Sequence, residues 1–66
     1  MARREVGSMS VKHREGKMTQ EALARRAKVS RSYLAALEAG HRKNPSVAVL
    51  RRIANALGVP VAALLE

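Results

Sequence analysis

Residues 19–40 read TQEALARRAKVSRSYLAALEAG, and the fold follows from how this stretch folds locally. Thr19 offers a hydroxyl that can accept a first-turn backbone N–H, and Glu21 complements the positive end of the helix that follows. The capping box is incomplete, because its fourth position is Ala22 rather than Glu or Gln. Leu23, Ala24 and Ala27 keep one face inward while Arg25 and Arg26 point elsewhere, so the spacing predicts a helix from Gln20 to Ala27. Ser30 is a second N-cap, with Val29 before it and Leu34 at the spacing of a hydrophobic staple. A second helix therefore starts at Arg31, turns Leu34 and Leu37 to the core, and ends where Gly40 can adopt a left-handed cap.

Only Lys28 to Ser30 separate these helices, and the small Ala24 and Ala27 let them cross closely at a steep angle. That is the geometry of a helix-turn-helix. With Leu34 and Leu37 inward, Arg31, Ser32, Ala35 and Ala36 share the opposite surface of a helix whose first turn is cationic, a surface suited to a DNA major groove.

At these residues the chain resembles a known family. From Met18 to Leu65 it is similar to the Cro and lambda-repressor type helix-turn-helix domains, the XRE family. The features that carry the resemblance are the Thr-Gln-Glu opening, Leu-Ala in the first motif helix, Val-Ser-Arg-Ser leading into the second and Glu-x-Gly closing it. The Pro-Ser start and Leu-Gly-Val end of the next helix add to them. The resemblance implies an all-α, five-helix bundle that binds DNA. It assigns base readout to Arg31, Ser32, Ala35 and Ala36, and phosphate contacts to Thr19, Gln20, Tyr33, Arg42 and Lys43. Ala35 and Ala36 depart from the longer polar readers common at those places, which implies few base-specific contacts. Arg31 is open to two readings, a bidentate fork on guanine or a clamp on a phosphate.

Composition agrees with a small basic helical domain. Thirteen Lys and Arg against five Asp and Glu give a formal charge of +8 and a pI of about 11.5, the balance of a partner for nucleic acid or a membrane surface. A chain of 66 residues forms one domain. A domain of this size buries only about 60% of the surface its unfolded form exposes. Without cysteine it has no disulfide or thiolate metal site to staple it, so helix packing must hold it, alone or together with dimerisation. Twelve alanines, one aromatic residue and the lack of sustained alternation argue against strands.

Outside the motif, residues 1–8 read as a flexible basic arm, either a solvated terminus or a segment that grasps DNA, and residues 9–66 as the DNA-binding domain. A short or irregular first helix is expected between Met9 and Lys17, with Met9 and either Val6 or Val11 as its apolar face and Gly16 ending it. His41 to Pro45 form a polar loop whose Arg42 and Lys43 sit beside the expected groove. Ser46 caps a further helix whose Val47, Leu50, Ile53, Ala54 and Leu57 follow helical spacing, with Gly58 as terminator and Arg51 and Arg52 solvated. Pro60 suits the first turn of a last helix in which Val61, Leu64 and Leu65 either close the core or form a dimer interface.

Catalytic and metal readings fail on residue types. The chain has no aspartate for a Ser/His/Asp triad, and His13 and His41 lack clustered partners at ligand spacing. Glu15, Glu21 and Glu38 read as helix-surface or capping charges. No enzyme activity, cofactor, metal or small-molecule substrate is expected. The N-terminus lacks the apolar centre of a signal peptide, and no apolar run approaches the ~20 residues of a membrane span. The expected function is that of a cytoplasmic, nucleoid-associated regulator, a repressor that binds double-stranded DNA as a homodimer on a pseudo-palindromic operator. The alternative is a protein-interaction module on the same fold, such as an antitoxin or bridging factor.

Overall fold

A computed structural model describes residues 6–42 and 44–65. The chain runs through α1 (Val6–Arg14), α2 (Gln20–Ala27), α3 (Arg31–Glu38), α4 (Val47–Leu57) and a terminal 3-10 turn (Val61–Leu64). Capping hydroxyls set three of the helix starts. Thr19 accepts from the Ala22 N–H at 3.1 Å, Ser30 from Tyr33 at 2.9 Å and Ser46 from Val49 at 3.2 Å. Such caps contribute about 1 kcal/mol each. The same three helices close alike: the N–H groups of Val29, His41 and Val59 reach back to the carbonyls of Ala24, Ala36 and Ala54 at 3.0, 2.9 and 3.0 Å. This closure needs a left-handed residue. Gly40 and Gly58 supply it at φ 85° and 72°, but after α2 the residue is Lys28, at φ 59°.

The motif pair α2 and α3 packs together, with α4 behind α2 and α1 behind α3. Leu23, Leu34, Leu37, Ile53 and Leu64 are fully enclosed between them. Val47, expected in the core, is 46% exposed in the first turn of α4, and the inward face of that helix begins at Leu50.

Two expectations about the chain ends are corrected. The domain does not begin at residue 9: α1 starts at Val6, whose side chain is fully buried in the core. Gly7, read as part of a flexible arm, is buried where α1 crosses α3. A Cβ there would collide with the Leu37 carbonyl oxygen and lie 2.9 Å from the Leu37 carbonyl carbon and 3.2 Å from Glu38 Cα. The absent side chain is what lets the two backbones touch. Residues 1–5 of the expected arm lie outside the described residues.

The expected fifth helix is a single 3-10 turn of 4 residues after Pro60, which offers no side-chain cap. So short a segment cannot build a run of i→i+4 bonds, and packing rather than helix propensity fixes it. Its Leu64 is fully buried, while Val61 and Leu65 are only partly covered.

Candidate nucleic-acid interface

The candidate surface is built by α2, the turn from Lys28 to Ser30, and α3. Because Leu34 and Leu37 are held in the core, α3 must present Arg31 and Ser32 outward from its first turn, and both are exposed. Ala35 and Ala36 lie one turn further on and are half-buried. The face is therefore polar and cationic at the helix N-terminus and shallow and apolar beyond it.

Tyr33 rests partly against the core, and the guanidinium carbon of Arg42 lies 5.3 Å from its ring centroid. This cation–π contact joins the loop after α3 to the first turn of α3. Lys43, the second cation expected in that loop, lies outside the described residues. Thr19 is exposed and caps α2 through its hydroxyl oxygen. Arg51 and Arg52 on α4 are exposed, as are Arg25 and Arg26 on α2; Arg25 lies 3.7 Å from Glu21 across one solvated helical turn.

Gln20 is not simply a surface donor. Its Nε2 donates to Glu38 Oε1 at 3.0 Å, and Glu38 is the centre of a polar cluster at the C-terminal end of α3. Glu38 also accepts from Arg14 Nη2 at 2.7 Å, Arg14 Nε at 2.8 Å and the Ser10 hydroxyl at 3.1 Å. The carboxylate side chain is only 5% exposed and that of Arg14 16%. One anion thus ties the C-terminal end of α3 to α1 and to the start of α2. Burial alone would push the Glu38 carboxyl up, but hydrogen bonds from Arg14 and Gln20, the Arg14 charge and the Ser10 hydroxyl outweigh it and hold it below the ordinary value. The hydrogen bond to Glu38 raises Arg14 in turn.

Glu38 was expected to be a helix-surface or capping charge, and the structure corrects that. Ser10 and Arg14 were not expected to act at all. The Glu-x-Gly ending of α3 marks the place of Glu38 in the sequence, but Ser10 and Arg14 stand 28 and 24 residues away and carry no local signal.

Comparison with known proteins places this geometry. Residues 12–64 match the helix-turn-helix family. The chain is 49% identical over 51 residues to an immunity repressor protein of Bacillus phage phi105, a match that covers 77% of this chain. The match covers 35% of the length of that repressor. Among solved structures it resembles the restriction-modification controller protein C.AhdI from Aeromonas hydrophila, with a TM-score of 0.83 and 30% identity over 91% of each chain. It also resembles the clp gene regulator ClgR from C. glutamicum, with a TM-score of 0.83 and 36% identity, covering 94% of this chain and 82% of that one.

Proposed function

The chain belongs to the helix-turn-helix family, and on that premise we propose that it is a sequence-specific DNA-binding domain of a transcriptional repressor. The observation that carries the reading is the outer face of α3, where Arg31 and Ser32 are exposed from the first turn while Arg42 sits over the ring of Tyr33, which lies in the first turn of the same helix. A first-turn arginine at the bottom of a major groove can donate to guanine O6 and N7 together. Ala35 and Ala36 have no hydrogen-bonding side chain, so their part is contact with thymine methyl groups or the groove wall.

The start of α2 meets the phosphates. The Thr19 hydroxyl gives its oxygen to the cap and keeps its proton to donate, and the Gln20 amide gives one N–H to Glu38 and keeps the second. Both lie at the positive end of the α2 dipole, which favours an anion. Repression follows by occupancy of the operator, with binding as the whole mechanism and no chemical step.

Binding as a homodimer to a pseudo-palindrome completes the proposal. One α3 face offers few base contacts, and two faces about 34 Å apart along one side of the duplex would double them. Val61 and Leu65 are apolar and only partly covered, which suits a two-fold contact.

Selection from a pool of random duplexes tests the reading, and enrichment of one motif is the expected result. Retention without enrichment overturns sequence specificity. Failure to retain any duplex at low salt favours a protein-interaction module, the alternative that the short side chains of Ala35 and Ala36 support.

A further inference from the structure

We propose that Tyr33 is a positioning residue: its ring, and not its hydroxyl, sets Arg42 as the phosphate clamp beside α3. The inference deepens the DNA-binding reading and rests on it. Arg42 comes from the loop after Gly40, and its side chain is exposed, so by itself it would sample many rotamers. Its guanidinium instead lies over the Tyr33 ring at 5.3 Å. That ring is anchored, because Tyr33 packs against the core from the first turn of α3, where its N–H is also held by the Ser30 cap at 2.9 Å.

The geometry suits anion binding. A cation–π contact holds the guanidinium through its charge and not through a hydrogen-bond acceptor, so its N–H groups stay available for the paired acceptors of a phosphate. The ring therefore fixes the cation without consuming its donors. It also ties the loop cation to the first turn of α3, the turn that carries Arg31 and Ser32.

Two substitutions separate the ring from the hydroxyl. Tyr33→Phe keeps the face and removes the only group that could itself donate to a phosphate. Tyr33→Leu keeps an apolar side chain against the core and removes the face. An exposed cation–π contact corresponds to about two- to five-fold in an equilibrium constant.

Affinity for the selected duplex and for an unrelated duplex is measured at fixed salt for the wild type, both Tyr33 variants, Arg42→Ala and Tyr33→Leu combined with Arg42→Ala. The NMR shifts of the Arg42 side-chain protons are recorded on the free proteins. Tyr33→Phe should bind within two-fold of the wild type. Tyr33→Leu should weaken both duplexes by about two- to five-fold per subunit, and this loss should vanish in the Arg42→Ala background. The ring-current shift of Arg42 should survive Tyr33→Phe and disappear in Tyr33→Leu.

Equal losses from Phe and Leu would make the hydroxyl the contact and overturn the inference, as would a Leu loss that persists without Arg42. Absence of the ring-current shift from the wild type would also overturn it while leaving DNA binding intact. If the wild type retains no duplex but shows the shift, the DNA-binding reading is what has failed, and the role assigned to Tyr33 falls with it.

Discussion

Replacing Glu38 by Gln keeps the size and shape of the side chain and removes one negative charge from the cluster that ties α3 to α1 and α2. The amide has one acceptor oxygen where the carboxylate had two, so its NH2 must face either the Arg14 Nε and the Ser10 hydroxyl or the Arg14 Nη2 and the Gln20 amide. The Ser10 hydroxyl can turn round and accept; Arg14 and the Gln20 nitrogen cannot. Breaking a fully buried pair costs about 3–5 kcal/mol. Because the Arg14 side chain is 16% exposed and keeps some water, we expect about 2–4 kcal/mol. A domain of this length has on the order of 3–10 kcal/mol in total. The loss should appear as a fall of about 10–30 °C in Tm.

The same variant has a signature in pH. The folded-state pKa of Glu38 lies below the ordinary 4.5, so the stability it contributes is present above that value and is lost as the pH falls through the lower, folded value. Arg14 is raised above its already high ordinary value by the hydrogen bond to Glu38, so it stays charged and its contribution does not vary in the acid range. Urea unfolding followed by circular dichroism at neutral pH and at about pH 2 should therefore show the wild type and Glu38→Gln far apart at the first and converging at the second. A difference that stayed constant across that range, or one under about 0.5 kcal/mol at neutral pH, would refute the assignment of the cluster as a held, charged network.

Gly7→Ala should destabilise by about 1–3 kcal/mol, because the new methyl meets α3 backbone that can move only by separating the helices; a gain in Tm would contradict the packing. Lys28→Gly removes the left-handed strain of a residue at φ 59°, offset in part by the added freedom of the unfolded chain, and thermal unfolding should show a gain of up to about 1 kcal/mol. Arg31→Ala should cost about 1–3 kcal/mol on the preferred duplex and flatten the preference at one base pair per half-site, and an equal loss on every sequence would make Arg31 a phosphate clamp instead. Arg42→Ala should weaken all duplexes alike and reduce the slope of log K against log salt by about one per subunit, whereas an unchanged slope would remove it from the phosphate contacts. Sedimentation should show a dimer on operator DNA, and a monomer at high concentration both free and bound would exclude the two-fold arrangement.

Local chemistry made the motif legible. The caps at Thr19, Ser30 and Ser46, the inward pairs such as Leu34 and Leu37, and the left-handed Gly40 and Gly58 each act within one or two helical turns, and the bounds they predict for α2 and α4 are those observed. The exposed Arg31 and Ser32 follow from the same periodicity, because fixing the buried side of a helix fixes its outer side.

The inward face of α1 is not legible in this way. Its buried side consists of Val6, Gly7 and Ser10, and neither a glycine nor a serine announces an apolar face. Gly7 is needed for the approach of a backbone far along the chain, and Ser10 is needed for a carboxylate on the same distant helix. Glu38 looked like a surface charge, since a lone glutamate near the end of a helix usually is one, and only the meeting of α1, α2 and α3 encloses it. Sequence by itself thus determined where the motif helices start, stop and face, because caps, turns and periodicity act between near neighbours. Tertiary structure decided where the domain begins, which charges are buried and which side chains tie α3 to its neighbours, because those depend on contacts between residues that the chain brings together only when it folds.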